Sequence, residues 1–107
     1  MIALTADTPI LLGIQHVDFR KGIDGLVALC HQQLAHNPRS GTVFVFINRN
    51  KTQVRLLSYD GSGFWLMTKR LSQGRFEGWP TPTTPIHSMV AKQLRVLLTG
   101  DNPWKKL

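Results

Sequence analysis

The tetrapeptide Asp60-Gly61-Ser62-Gly63 constrains this chain more than any other stretch. It separates two runs rich in apolar and aromatic residues, Gln53–Tyr59 (Q-V-R-L-L-S-Y) and Phe64–Leu71 (F-W-L-M-T-K-R-L). An aspartate followed by two glycines around a serine supplies the positive-φ positions of a tight hairpin, so the two runs are expected to pair antiparallel. A third run, Thr42–Ile47 (T-V-F-V-F-I), lies before them across the turn N-R-N-K-T. Its continuous β-branched and aromatic character suits a strand buried on both faces. Residues Gly41–Phe76 therefore read as a three-stranded meander.

If the second hairpin turns on Gly61-Ser62, Tyr59 faces Phe64, Leu57 faces Leu66 and Arg55 faces Thr68. The period of 2 along a strand then sorts the side chains into two sets. Phe44, Phe46, Arg55, Leu57, Tyr59, Phe64, Leu66 and Arg70 share one face, and Val43, Val45, Ile47, Val54, Leu56, Trp65, Met67 and Lys69 share the other. The second set is the smoother apolar surface, and the helices are expected to cover it.

Around the meander, Pro9 precedes a short apolar run, Ile10–Ile14, that suits a strand docked on the sheet edge. Ile23, Leu26, Val27, Cys30 and Leu34 recur at steps of three and four, the stripe of an amphipathic helix. Asp18 is its expected N-cap, and Asn37-Pro38 its end. Prolines at 80, 82 and 85 exclude helix and ladder alike, after which Thr84-Pro85 is expected to open a second helix. Its inward side would be Ile86, Val90, Leu94, Leu97 and Leu98, with Gly100 as the stop. The expectation is an α+β fold: an antiparallel β-meander of three to five strands packed against two helices on one face. With 107 residues it forms a single domain, 1–107, with a core over about 10–99, an arm at 1–9 and a basic tail at 101–107.

Charge narrows the function. Thirteen Lys and Arg against six Asp and Glu give +7, which favours a polyanionic partner: DNA, RNA or an anionic membrane surface. A lone Cys30 allows no internal disulfide, the N-terminus has no signal-peptide pattern, and no apolar run approaches the ~20 residues that span a bilayer. A cytoplasmic protein without a membrane segment is expected. His16, His31, His36 and His87 show no metal-ligand spacing with Cys30, so no metal and no cofactor is expected. G-S-G at 61–63 lacks the Gly-Lys-Ser/Thr of a phosphate loop. A metal-dependent nuclease would need Asp18, Asp60 and Glu77 to meet, although turn and cap roles suffice for the first two. The chain does not read as an enzyme.

The basic residues form a clearer constellation. Arg49 and Lys51 sit in the first hairpin turn, and Lys69, Arg70 and Arg75 at or beyond the end of the third strand, which returns towards that turn. All five are expected at the end of the meander opposite Asp60–Gly63, where they would suit phosphate contacts. Arg20 and Lys21 lie at the first helix start, either as solvated charges offset by Asp18 and Asp24 or beside a phosphate docked on free amides.

The segments D-F-R-K-G-I-D-G-L (18–26), N-P-R-S-G (37–41), F-V-F-I-N-R (44–49), Y-D-G-S-G-F-W-L (59–66) and K-R-L-S-Q-G-R-F (69–76), with Trp79-Pro80, occur in the order of one known family. Over about residues 10–99 the chain resembles the small accessory protein of the IS-sixty-six group of bacterial insertion sequences. That protein is often called TnpB, and is unrelated to the RNA-guided nuclease of that name. Phe19 stands where the family usually has Met, Arg55 where Lys is common and Tyr59 where Trp is common. The resemblance implies a protein encoded beside a separate, larger transposase, assisting transposition without catalytic residues of its own. DNA binding is the role usually supposed for it. Asp18, Arg20, Lys21, Gly22, Arg49, Asp60, Gly61, Gly63, Lys69, Arg70 and Arg75 are the motif candidates, with Asp60 and the glycines structural. Two roles are thus expected to compete: DNA binding through the basic end, or docking on the transposase through an exposed apolar patch that includes Trp79 or Trp104.

Overall fold

The computed structural model describes residues 4–81 and 84–104. The first three residues of the expected arm, Pro82, and Lys105 and Lys106 of the expected basic tail lie outside the described residues.

The chain runs β1 (Ile10–Gly13), α1 (Ile23–Gln32), β2 (Val43–Ile47), β3 (Gln53–Tyr59), β4 (Phe64–Arg70), β5 (Ile86–Met89) and α2 (Ala91–Leu98). The strands form one sheet in the order β4-β3-β2-β1-β5. The meander is as expected, with Tyr59 opposite Phe64, Leu57 opposite Leu66 and Arg55 opposite Thr68. β1, however, runs parallel to β2 and antiparallel to β5, so the sheet is mixed rather than a pure antiparallel meander. Nor is β1 an edge strand. Ile10 and Leu12 are apolar on a segment short enough to be enclosed, and strands hydrogen-bond to it on both sides.

The two helices lie on opposite faces. Val43, Val45, Ile47, Val54 and Leu56 pack with Ala91, Leu94 and Leu97 of α2. Phe44, Phe46 and Leu57 pack with Leu26 and Cys30 of α1. The two side-chain sets are sorted as period 2 dictates, but both are core. Every residue of β2 is buried, so neither face can be left to water, and each acquires a helix.

The second helix starts later than its proline predicts. Ile86–Met89 pairs residue for residue with Gly13–Ile10, and Pro85 C=O accepts from Ile14 N–H at 3.0 Å. The open side of β1 offers this segment a ladder, and that tertiary pairing overrides the helical spacing of Ile86, Val90 and Leu94. α2 then begins after Val90, whose N–H donates to Gln93 Oε1 at 3.0 Å. α1 ends before Asn37-Pro38: His36 N–H donates to Cys30 C=O at 3.0 Å around Ala35, which holds φ +54°. Asp18 does not cap α1, whose N-cap is Gly22.

Behind β1, Trp79 Nε1 donates to Ile14 C=O at 2.9 Å and Trp104 Nε1 to Gly78 C=O at 2.8 Å. These bonds tie segment 76–80 and the 101–104 turn to the sheet. Gly78 has no room for a side chain, since a Cβ there would lie 2.5 Å from Pro103 Cδ.

Candidate nucleic-acid interface

The basic end is built from the β2–β3 turn. Asn48 closes it: its Oδ1 accepts the N–H groups of Thr52 (2.9 Å) and Gln53 (3.1 Å), while its Nδ2 donates to Thr52 Oγ1 (3.0 Å). Lys51 turns the chain back with φ +59°, donating its N–H to Asn48 C=O at 3.1 Å. Arg49, Asn50 and Lys51 are left exposed at the tip.

The returning chain locks onto this turn. Leu71 N–H donates to Thr52 C=O (3.2 Å) and Phe76 N–H to Lys51 C=O (2.8 Å). The β3–β4 register places Arg70 opposite Gln53 and Lys69 opposite Val54. Lys69, Arg70 and Arg75 are exposed, so all five expected cations share one end of the sheet. They do not share one face. Arg70 stands on the α1 side with Gln53 and Arg55, and Lys69 on the α2 side with Val54.

The loop before α1 brings a sixth cation. Val17 N–H donates to Ile47 C=O at 2.9 Å, anchoring the loop beside the end of β2. Arg55 anchors it again: its Nε donates to Thr68 Oγ1 (2.9 Å), its Nη1 to Lys21 C=O (3.0 Å), and its guanidinium lies 4.6 Å over the Phe19 ring. Between this loop and the β2–β3 turn runs a groove of about 680 Å³, lined by Phe19, Arg20, Arg49, Asn50, Gln53 and Arg55 together with His16 and Asp18. Arg20 and Arg49, distant in sequence, therefore line the same concavity. Arg49 also borders a second depression of about 300 Å³, shared with Lys51, Trp79 and Pro80. Lys21 is set apart, lining a separate depression of about 230 Å³ with His16 and Asp18.

Arg20 is held by Asp18, whose Oδ2 accepts from Arg20 Nη2 (2.6 Å) and Nε (2.9 Å) and whose Oδ1 accepts the Arg20 N–H (2.9 Å). The Arg20 side-chain hydrogen bonds, reinforced by its backbone, hold the Asp18 carboxyl down at about 2, and Asp18 in turn raises the guanidinium. The pair is exposed, so a phosphate can compete with Asp18 for Arg20 at little energetic loss. Sequence reasoning missed His16, Asn50 and Gln53 as lining residues. Asn50 sits between two of the expected cations and was within reach, but the convergence with His16 depends on a loop anchored across the fold.

Asp60 is occupied by the opposite turn. Its Oδ1 accepts the Ser62 N–H (2.9 Å), Ser62 Oγ (3.0 Å) and Gly63 N–H (3.0 Å), and its Oδ2 accepts Trp65 Nε1 (2.8 Å). The Ser62 backbone, followed by the Trp65 indole, holds the carboxyl down at about 2. Asp60 thus lies at the far end of the sheet from Glu77, which follows the Phe76–Lys51 bond. Among the described residues no three His, Cys, Asp or Glu side chains gather to hold a metal ion. Cys30 is buried against the α1 side of the sheet, and desolvation pushes its thiol up to about 12. The expected apolar patch around Trp79 and Trp104 is not exposed as such, because both indoles donate inward and Trp79 is buried. The exposed indole is Trp65, at 43%. Among the described residues no helix is long and apolar enough to cross a membrane.

A family model described as IS66 Orf2 like protein matches residues 8–107. Two proteins of Sinorhizobium fredii (strain NBRC 101917 / NGR234) are similar, both named only as uncharacterized. The protein y4jC is 36% identical over 100 residues, covering 94% of this chain and 85% of its own. The protein y4hO is 36% identical over 85 residues, covering 79% of this chain and 73% of its own. No solved structure matches the chain.

Proposed function

Because the chain belongs to the IS66 Orf2-like family, we propose that it is a non-catalytic accessory protein of insertion-sequence transposition that binds DNA through the basic end of its sheet. Family membership supports the transposition-associated role. The observation that carries the binding role is convergence: the β2–β3 turn, the end of β4 with its following loop, and the loop before α1 contribute Arg49 and Lys51, Lys69, Arg70 and Arg75, and Arg20 to one end of the sheet. Lys21 flanks this set. Exposed side chains at this end reach phosphates without needing base identity, and they set register on the duplex. The strand chemistry belongs to the separate transposase, and the work is done in the cytoplasm.

The test is fluorescence anisotropy on element-end and random duplexes across a salt series. Each phosphate neutralised releases about one counterion, so affinity should fall with a log–log slope of about −0.9 per contact. Arg49→Glu and Arg70→Glu should each weaken binding and flatten that slope. Absence of binding at low salt, or charge reversals without effect, refutes the reading.

A second reading is favoured by Trp65, exposed on β4 at the sheet edge and held in place by Asp60. An edge strand with a fixed indole is a surface on which a strand of the transposase can dock. Co-purification with transposase that survives nuclease treatment and is lost in Trp65→Ser supports it; co-purification lost on nuclease treatment refutes it.

A further inference from the structure

We propose that the groove between the loop before α1 and the β2–β3 turn is a pocket for an unpaired nucleotide of the bound DNA. The inference rests on the DNA-binding reading above and names the form of DNA that this site takes.

Shape comes first. A duplex is convex, and protein groups that read its base edges must project into its grooves. Here the groups able to read a base line a concavity, so the ligand must project into the protein, as a base outside the stack does. The groove's volume of about 680 Å³ is in the range of sites that enclose small ligands.

The chemistry agrees with a nucleotide's parts. Arg20 and Arg49 border the groove at its exposed rim, where a backbone phosphate would lie. Arg55 offers a fixed plane: two hydrogen bonds and the Phe19 ring hold its guanidinium, so stacking a base against this wall immobilises nothing that is not already ordered. The side-chain amides of Asn50 and Gln53 also line the groove, and among the described residues neither is engaged in a hydrogen bond. Asn48 beside them spends its amide on closing the turn, so it shapes the groove rather than reading a ligand. An amide supplies both a donor and an acceptor, the pair that a base's Watson–Crick edge requires.

The experiment measures anisotropy at one fixed, low salt concentration for four labelled probes: an oligothymidine single strand, a fully paired duplex, the same duplex with one central unpaired thymidine, and the single strand as RNA. The variants are Asn50→Ala/Gln53→Ala, with both side chains outside the core, and Arg49→Glu for comparison; melting curves confirm folding. The expected result is that the single strand and the duplex with the unpaired base bind about 10-fold tighter than the paired duplex, the effect of seating one base against Arg55 with its edge paired by the two amides. The double variant should lose that preference while holding its paired-duplex affinity within about twofold, whereas Arg49→Glu weakens all probes together. Equal binding of paired and unpaired probes, or a preference unchanged in the double variant, overturns the pocket and leaves the duplex reading standing. Tighter binding of the RNA strand overturns the assignment to DNA. Failure of every DNA probe to bind at low salt overturns both.

Discussion

Replacing Lys51 separates binding from folding at one position. Lys51 holds φ +59° in a turn already closed by Asn48. A side chain with a Cβ in the left-handed region is disfavoured by ~1–2 kcal/mol, while glycine gives back ~0.5–1 kcal/mol through the greater freedom of its unfolded chain. Lys51→Gly should therefore stabilise the protein by ~0.5 kcal/mol, raising Tm by about 2–4 °C for a domain of this size. The same change removes one exposed cation from the basic end, so the salt slope should flatten by about 0.9. Lys51→Ala supplies the control, since it loses the cation but keeps the Cβ. It should bind like the glycine variant and melt like the wild type. Calorimetric melting with anisotropy across a salt series reads both quantities. Lys51→Gly melting below Lys51→Ala would refute the backbone argument, and an unchanged salt slope in both variants would refute the phosphate contact.

Asp18→Asn should free Arg20 for phosphate and tighten DNA binding by about threefold at low salt, with a fold left intact because the pair is exposed; weaker binding would mean that Asp18 positions Arg20 productively. Acid should destabilise the protein in a defined window. Asp18 and Asp60 are held at about 2 in the folded state against the ordinary 3.8, so the unfolded chain takes up their protons first. Their contribution is complete above about pH 4 and lost as pH falls towards 2, and Asp60→Asn should flatten the Tm–pH profile there. Gly78→Ala places a Cβ 2.5 Å from Pro103 Cδ and 2.7 Å from Asp101 C=O, overpacking that should cost ~1–3 kcal/mol and shift Trp104 emission to the red as its turn is displaced.

The parts legible in the sequence were those fixed by local chemistry. The Asp60–Gly63 turn sets the β3–β4 register, and with it the alternation of Arg55, Leu57 and Tyr59 against Val54 and Leu56 and the meeting of Lys69–Arg75 with Arg49 and Lys51. What escaped was set by partners distant in the chain. Ile86–Met89 carries apolar residues at spacings that suit a helix as well as a short strand, and only the open side of β1 decides between them. β1 itself pairs across α1 with β2, a parallel connection that no turn motif announces, and it forces α1 over one face while α2 takes the other. The groove escaped for the same reason. Arg55 was legible as a strand residue opposite Thr68, but its grip on Lys21, 34 positions away, was not.

That grip also bears on two swaps that the resemblance implies. Where the resemblance implies Met and Lys, this chain has Phe19 and Arg55, and in the fold these two residues touch, the guanidinium lying 4.6 Å over the ring. Arg suits an aromatic face better than an ammonium does, because its planar, weakly hydrated head can stack while its N–H groups donate sideways, here to Thr68 and Lys21 C=O. Lys on Met keeps the apolar stem contact with one point donor. The swaps are therefore expected to be coupled. In a double-mutant cycle, Phe19→Met removes the ring beneath Arg55, and Arg55→Lys removes the fork over Phe19. The double variant should recover ~0.5–1 kcal/mol relative to the sum of the singles. Chemical denaturation of the four proteins measures the term, and strict additivity would mean that Arg55 anchors the loop through its hydrogen bonds alone.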